Sequence, residues 1–395
     1  MKKLLKYITD SPKNDILSGL VVALALVPES VAFAFVAGVQ PLTALYTSVI
    51  LALITSLFGG RPVMISAATA PLAVVMTSLV VTEGVQYLFV AGILMGVIQL
   101  TLSLLKAGQL VRLIPHPVRL GFLNGLAIVI GLAQRSQFKN ATGEWLQGNQ
   151  MYTMLGLVAL TMFVMHMFPK ITKVIPSALV SITVVTVLTL VLKLDTKTIG
   201  DVAQITGSLP MLNIPNVPLT IQTLFTVAPY AILFASIGSI NSLMTMTVVD
   251  DLTETRGNGN KELMGQGLGN ILCGLFSGMP GCAMIGQSII NANSGGKGRL
   301  SGISASIFLL LFIVILGGLI EIIPVAALVG IMFMVVIGTF SWSSIQIINK
   351  IPKFDAVIIL LVALAVIFFN TATAVIFGVV LSALCFSWVE ATRIE

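Results

Sequence analysis

The chain of 395 residues is 57% hydrophobic and only 9% charged, with a mean hydropathy of +1.05. Soluble domains carry about 25% charged residues, so this composition excludes a soluble globular domain and indicates an integral membrane protein. Loop lysines and arginines mainly set the orientation of such a protein. The net charge of +6 therefore does not indicate a nucleic-acid partner, and the lipid bilayer is the expected surrounding of the chain.

Apolar runs follow one another along almost the whole chain, and many reach the roughly 20 residues that a spanning helix needs. They are continuous and do not alternate, which predicts helices and not a barrel. We predict an all-α protein of fourteen segments, near 16–37, 42–58, 68–82, 86–105, 118–134, 151–168, 176–193, 222–247, 262–278, 284–293, 301–320, 324–341, 355–369 and 371–389.

The distribution of basic residues predicts the orientation of these segments. The basic N-terminal stretch MKKLLKYITDSPKND lacks the pattern of a removable signal peptide. With this stretch in the cytoplasm, most of the 21 Lys and Arg residues lie inside and only Arg135, Lys139, Lys193 and Lys197 lie outside, as the positive-inside rule requires. We therefore expect both termini to be cytoplasmic, in a multi-pass protein of the inner (plasma) membrane.

An acid interrupts the first segment, in the stretch ALALVPESVAFAF. Glu29 is the only carboxylate near the centre of a predicted span, where a charged side chain costs about 2.5 kcal/mol or more. It is therefore expected to face the protein interior and to bind and release a proton during transport. The alternative is a permanently protonated glutamic acid that ties two helices together. Pro28 beside it predicts a kink or a local break.

Two segments, 68–82 and 284–293, are too short to cross the bilayer as full helices. Each follows an irregular stretch, FGGRPVMISAATAP or SGMPGCAMIGQS, and each is third in its half of seven. We therefore predict half-helices at segments 3 and 10 of two related halves, 1–200 and 201–395. Because each half contains an odd number of spans, the second half runs inverted relative to the first. The alternative is a pair of ordinary core helices with glycines at packing contacts.

The beginnings of these two half-helices are the predicted binding site. Helix N-termini present free N–H groups and a partial positive charge, which bind anions without a basic side chain, and no Lys or Arg lies within a predicted span. The substrate is therefore expected to be a small anion. The residues predicted to bind it are Ala68, Thr69, Ala70, Met284, Ile285, Gly286, Gln287 and Ser288.

The eighth segment, APYAILFASIGSINSLMTMTVVDD, is unusually polar. Asn241 and Thr245 are four residues apart and share one helix face, so both are predicted to take part in ion coupling. Hydroxyls such as Ser236 and Ser242 more often bond their own or a neighbouring helix. The glycines of GQGLGN, from Gly265, are expected to serve helix packing. Cys273, Cys282 and Cys385 lack the spacing of metal ligands and are expected to be small core residues, and no cofactor is expected.

Several stretches, in order, resemble the SulP anion permeases, the bacterial relatives of solute carrier family 26. They are LVVALALVPESVAFAFVAGVQPLTALYTSVILALITSLFGGRPVMISAATAPLAVV, IPHPVRLGFLNGLAIVIGLAQ and VVDDLTETRGNGNKELMGQGLGNILCGLFSGMPGCAMIGQSIINANSGGKGRLSGI. The resemblance implies the UraA-like fold of 7+7 inverted repeats, a core domain that moves against a gate domain, an anion bound between half-helices 3 and 10, and a homodimer.

Three departures qualify the resemblance. Asn241 stands where bicarbonate transporters of the family carry an acid that helps to hold sodium, which makes sodium coupling less expected than proton coupling. Gln287 stands where an arginine is common. The chain stops at WVEATRIE, where most members continue into a cytoplasmic STAS domain, so no STAS domain is expected in these residues.

The function predicted from the sequence is secondary active transport of a small inorganic anion such as sulfate, bicarbonate or chloride, coupled to protons through Glu29. No catalytic constellation is present, so no enzymatic activity is expected. The alternatives are an uncoupled anion exchanger or channel, sodium-coupled bicarbonate uptake, and a nucleobase permease of the same fold. In the last of these, the amides of Asn241 and Gln287 would read the edge of a ring.

Overall fold

The computed structural model describes residues 11–108, 116–140, 143–172, 176–201, 209–218, 220–347 and 350–368. The predicted segment 371–389 and both chain termini lie outside these residues. The described part is mostly helical. Its elements are α1 (Pro12–Ala37), α2 (Pro41–Phe58), β1 (Ser66–Ala67), α3 (Ala70–Glu83), α4 (Val85–Leu104), α5 (His116–Ala133), a 3₁₀ turn (Gln134–Phe138), α6 (Gly148–Ile171), α7 (Ser177–Val191), α8 (Ile221–Thr253), α9 (Gly259–Leu275), β2 (Cys282–Ala283), α10 (Ile285–Asn293), α11 (Arg299–Glu321), α12 (Val325–Thr339), α13 (Trp342–Ile347) and α14 (Lys353–Phe368).

Each of the first thirteen predicted segments overlaps one of these helices. By length and composition, six stretches of the described residues are apolar enough to cross a bilayer: α1, α2, α4, α6, α8 and the stretch Val325–Ile347, which covers α12 and α13. Shorter apolar helices include α3, α7 and residues Arg299–Ile315 of α11. The protein therefore has several membrane spans, and the number fourteen stays a prediction.

Proline and glycine set the ends of the first helices. α1 and α2 both begin on a proline, whose missing N–H has no partner in a first turn. α1 ends at Gly38, which takes the left-handed conformation with φ of +74°. Inside α1, the predicted local break is absent, because the helix runs without interruption through Pro28. The proline instead leaves the carbonyl of Leu24 without its helical hydrogen bond.

Two strands of two residues each connect distant parts of the chain. β1 pairs with β2 in antiparallel register, with Ser66 opposite Ala283 and Ala67 opposite Cys282. The N–H of Met284 continues the ladder by donating to the carbonyl of Ile65 at 2.9 Å. α3 begins three residues after β1 ends, and α10 begins two residues after β2 ends. The N-terminal ends of both helices therefore adjoin one strand pair.

The chain divides into two compact units. The first contains residues 1–109 and 136–331 and holds the strand pair; within it α9 packs against α4 and α2, and α11 against α1 and α2. The second contains residues 110–135 and 332–395, and within it α5 packs against α14. The predicted division into repeats 1–200 and 201–395 is a different partition and stays a prediction.

The α4–α9 contact depends on glycine. A Cβ atom added to Gly267 would lie 2.7 Å from the carbonyl oxygen of Gly96, and one added to Gly96 would lie 2.5 Å from the carbonyl oxygen of Gly267. The two backbones therefore touch, as in other close helix pairs of membrane proteins. The expected packing role of the GQGLGN glycines is confirmed at this position.

Replacing this glycine should separate the helices. We expect Gly267→Val to lower the free energy of unfolding by about 1–3 kcal/mol, the usual cost of overpacking. The measurement is the thermal stability of the purified protein in detergent. Gly156→Val in α6 is the control, because nothing lies within 4 Å of a Cβ atom at that glycine. Equal stability of the two variants would contradict the packing role.

Candidate functional site

The first turns of α3 and α10 are uncapped at the strand pair. The preceding residues, Thr69 and Met284, have extended backbones, and neither side chain caps its helix. The first helical bonds are donated by Ala73 and Ser288, at 3.0 Å each. The N–H groups before them have no partner within their own helices. One of these positions in α3 is Pro71, which has no N–H.

Open space lies at the beginning of α10. Gly286 is exposed, and nothing lies within 4 Å of a Cβ atom placed on it. Its neighbours Gln287 and Ser288 are buried, at 1% and 0% exposure. The predicted residues Met284 and Ile285 are half-buried, whereas Ala68, Thr69 and Ala70 are buried. The predicted site residues are therefore partly accessible at the beginning of α10 and packed at the beginning of α3.

Glu29 lies beside this turn. The residue as a whole is half-buried, and its carboxyl group is within hydrogen-bonding reach of the Gln287 side chain. The Gln287 Oε1 atom is buried and has no hydrogen-bond partner among the described residues. A buried polar atom without a partner is costly, so this carbonyl is an acceptor to which a water molecule or a protonated acid could donate.

Asn241 and Thr245 have different surroundings. The Asn241 Nδ2 atom donates to the Ala283 carbonyl at 3.0 Å and to the Cys282 sulfur at 3.2 Å, which ties α8 to β2. The same sulfur lies 3.2 Å from Thr69 Oγ1. Thr245 donates to the Asn241 carbonyl at 2.8 Å, a bond within its own helix. The structure thus brings Thr69 and Asn241 together through Cys282.

Serines of three helices also bind β2 and the residues on either side of β1. The Ala283 N–H donates to Ser242 Oγ at 3.1 Å, and the Ile65 N–H donates to Ser288 Oγ at 3.0 Å. The Ala68 N–H donates to Ser48 Oγ at 3.3 Å, and Ser48 lies 2.7 Å from Ser30 Oγ. Since Ser30 follows Glu29, the hydroxyl pair joins the helix of the acid to the residue after β1.

Sequence reasoning missed several residues at this location. Cys282 was predicted to be an ordinary core residue, and Ser48 and Ser30 were not singled out. Ser239, whose buried Oγ has no partner among the described residues, was noted only as part of a polar segment. The available signal was the irregular stretch around Cys282, but its partner strand lies more than 200 residues away in sequence.

Buried arginines bind elsewhere. The Arg61 Nε atom lies 3.2 Å from Asp250 Oδ1, and this guanidinium also donates to Thr253 and to the Val249 carbonyl. The Arg299 guanidinium donates to the carbonyls of Ser56 and Gly59, at 2.8 and 2.9 Å. Both cations thus hold helix ends and loops. The first turns of α3 and α10 supply positive potential through their backbones.

Comparison with known proteins identifies relatives along nearly the whole chain. The Bacillus subtilis protein YbaR is 45% identical over 95% of this chain and 77% of its own length. The bicarbonate transporter BicA of Picosynechococcus is 31% identical over 93% of this chain and 69% of its own length. The solved transmembrane domain of a cyanobacterial BicA superposes with a TM-score of 0.78 at 28% identity, covering 92% of this chain and 97% of that domain.

The family assignment agrees with these relatives. The model of the sulfate permease family matches residues 13–362, which include the strand pair, Glu29 and both helix N-termini. The resemblance seen in the sequence is thereby confirmed. The members compared are transporters and not enzymes. This chain is a multi-pass membrane protein that belongs to the sulfate permease family.

Proposed function

We propose that the protein is a secondary active transporter of a small inorganic anion of the sulfate, bicarbonate or chloride class. Membership of the sulfate permease family supports this class of substrate, as does the 31% identity with a bicarbonate transporter. We further propose that it works as a homodimer in the plasma membrane, with cytoplasmic termini and with core and gate domains that alternate the access to the site.

The observation that carries the proposal is the convergence of two uncapped helix N-termini on one strand pair, beside the open space at Gly286. Unpaired backbone N–H groups and the helix dipole both favour negative charge at this place. Backbone donors bind any anion of suitable size and charge, which is consistent with a family that carries several. The residues proposed to contact the anion are Ala68, Thr69, Ala70, Met284, Ile285, Gly286, Gln287 and Ser288.

Proton coupling is proposed to act through Glu29. A carboxylate beside the first turn of α10 would repel a bound anion, since two like charges about 4 Å apart repel by about 4 kcal/mol at an effective dielectric constant of 20. Protonation removes this repulsion and gives the acid a hydrogen to donate, for example to the unpartnered Gln287 Oε1. The proton and the anion therefore favour each other's binding, as symport requires.

Sodium coupling is less well supported. By the resemblance to bicarbonate transporters of the family, Asn241 stands where those proteins carry an acid, and its neutral amide already donates to the Ala283 carbonyl at 3.0 Å. The Thr245 hydroxyl is used within α8. We retain both residues in the coupling proposal: Asn241 links α8 to β2, and Thr245 bonds the carbonyl of Asn241 within α8.

The test is uptake by proteoliposomes that contain the purified chain. Labelled sulfate, bicarbonate and chloride are offered at two external pH values, with and without sodium. We expect saturable uptake of one of these anions, faster at acidic external pH and independent of sodium. Stimulation by sodium alone would favour a sodium symporter, and large unsaturated chloride currents would favour a channel. Failure of all three anions, with uptake of uracil or xanthine, would overturn anion transport.

A further inference from the structure

Three buried polar residues form one row on α9. Glu262, Gln266 and Asn270 follow one another at intervals of four residues, so they share a helix face, and each is 0% exposed. We call this row the polar ladder. Burial of three polar side chains in a membrane protein is costly unless each is hydrogen-bonded, so the partners of the ladder indicate its role.

The first two members of the ladder hold the chain that leads into β1. Glu262 Oε2 accepts a hydrogen bond from the Gly60 N–H at 2.9 Å. Gln266 Nε2 donates to Glu262 Oε1 at 2.8 Å and to Ser66 Oγ, in β1 itself, at 2.7 Å. These bonds fix the position of β1 four residues before α3 begins.

Asn270 holds the chain that leads into β2. Its Oδ1 atom accepts from the Gly281 N–H at 2.9 Å, and its Nδ2 atom donates to the Gly281 carbonyl at 3.1 Å. The amide therefore binds both backbone groups of one residue, as a neighbouring strand would. Nδ2 also donates to Gln99 Oε1 of α4 at 3.0 Å. Gly281 lies four residues before α10 begins, just as Ser66 lies four residues before α3 begins, so the chain is held at equivalent distances before the two helices.

The ladder is not needed to hold α9 against α4. The glycine contact at Gly96 and Gly267 already brings these backbones together, and apolar side chains could fill the same face at lower cost. Directed hydrogen bonds differ from apolar packing in fixing position and register. The bond to Ser66 acts on β1, and the bonds to Gly281 act on the residue directly before β2; these are the only two strands that the described residues contain.

We infer that the polar ladder sets the spacing between the two helix N-termini of the anion site, with Gln266 and Asn270 as positioning residues. The inference rests on the proposed function, because it concerns the same site. Neither residue contacts the anion. They act through Ser66 and Gly281, and a change in the ladder moves the donors of α3 relative to those of α10.

The test compares anion affinity with stability in the same variants. Purified protein in detergent is titrated with potassium sulfate, potassium bicarbonate and potassium chloride, and its thermal stability is recorded. For the anion that the wild type binds, we expect Asn270→Ala and Gln266→Ala each to weaken binding by about tenfold, which corresponds to about 1.4 kcal/mol. The double variant should lose less binding free energy than the two single variants lose together, because both residues position one pair of strands.

Asn124→Ala is the matched control. Asn124 is also a buried asparagine whose side-chain amide both donates and accepts: it donates to Ser344 Oγ at 2.7 Å and accepts from the Ser341 N–H at 2.8 Å. It belongs, however, to the second compact unit. We expect it to lose thermal stability and to keep the wild-type affinity. If the ladder had only a structural role, Asn270→Ala would also lose thermal stability and keep the wild-type anion affinity. That result would overturn the inference.

Milder variants keep the test decisive if the alanine variants fail to fold. Ser66→Ala removes only the hydroxyl that Gln266 binds, and should weaken the affinity by about threefold. Asn270→Asp keeps the acceptor for the Gly281 N–H and should lie between wild type and alanine. Wild-type affinity in both would reject the positioning role. A wild type that binds none of the three anions would instead reject the proposed function, so the two failures are distinguishable.

Discussion

Glu29→Gln is expected to abolish the pH dependence of anion uptake while leaving the protein folded. Glutamine keeps the size of the side chain and can still bond Gln287, but it cannot bind or release a proton. With one proton per anion, the accumulation ratio of the wild type should change about tenfold per unit of pH gradient, which is 1.36 kcal/mol per unit. The variant should show no such change in proteoliposomes with an imposed pH gradient.

Glu83→Gln provides the control for loss of a negative charge. Glu83 is exposed at the end of α3, so its replacement should leave both the uptake and its pH dependence intact. Thermal stability checks that each variant is folded. If Glu29→Gln kept the wild-type response to pH, Glu29 would be a structural acid and the proton would enter by another group.

The second large effect is expected at Gly286. Because nothing lies within 4 Å of a Cβ atom added there, we expect Gly286→Leu to fold with wild-type stability and yet to occupy the volume that we assign to the anion. Loss of a single hydrogen bond to a charged group costs about 1.5 kcal/mol or more, so uptake should fall by at least about tenfold. Initial uptake rates and the thermal stability are measured on the same preparation.

Gly156→Leu is the comparison for this variant. Gly156 in α6 also has nothing within 4 Å of an added Cβ atom, but it is far in sequence from either strand. We expect this control to fold and to transport normally. Normal uptake by Gly286→Leu would show that the space before α10 does not hold the anion.

The helices could be predicted closely because local chemistry defines them. Long apolar runs mark the helices, and Pro12, Pro41 and Gly38 lie where the first two begin and end. The short third and tenth segments were visible for the same reason, since glycine and proline interrupt them. Of the kink or local break predicted at Pro28, the break is absent, because an α-helix with lipid or protein around it tolerates one missing hydrogen bond.

The candidate site could be predicted only in part. Glu29 stood out because no other acid lies near the centre of a predicted span, and the residues around Thr69 and Gln287 stood out because their segments are short. The contacts that join them depend on pairing between β1 and β2, which no local pattern encodes. The spacing of Glu262, Gln266 and Asn270 is visible in the sequence, but its meaning depends on Ser66 and Gly281.

Pro71 makes the two ends of the proposed site chemically unequal. The first turn of α10 offers the N–H groups of Ile285, Gly286 and Gln287, whereas the corresponding turn of α3 offers one fewer, because proline has none. An anion in the proposed site would therefore sit off centre, towards α10, on the side where Gln287 meets Glu29. The second half of the chain would then bind the anion more closely through α10, and the first half would contribute Glu29 beside it.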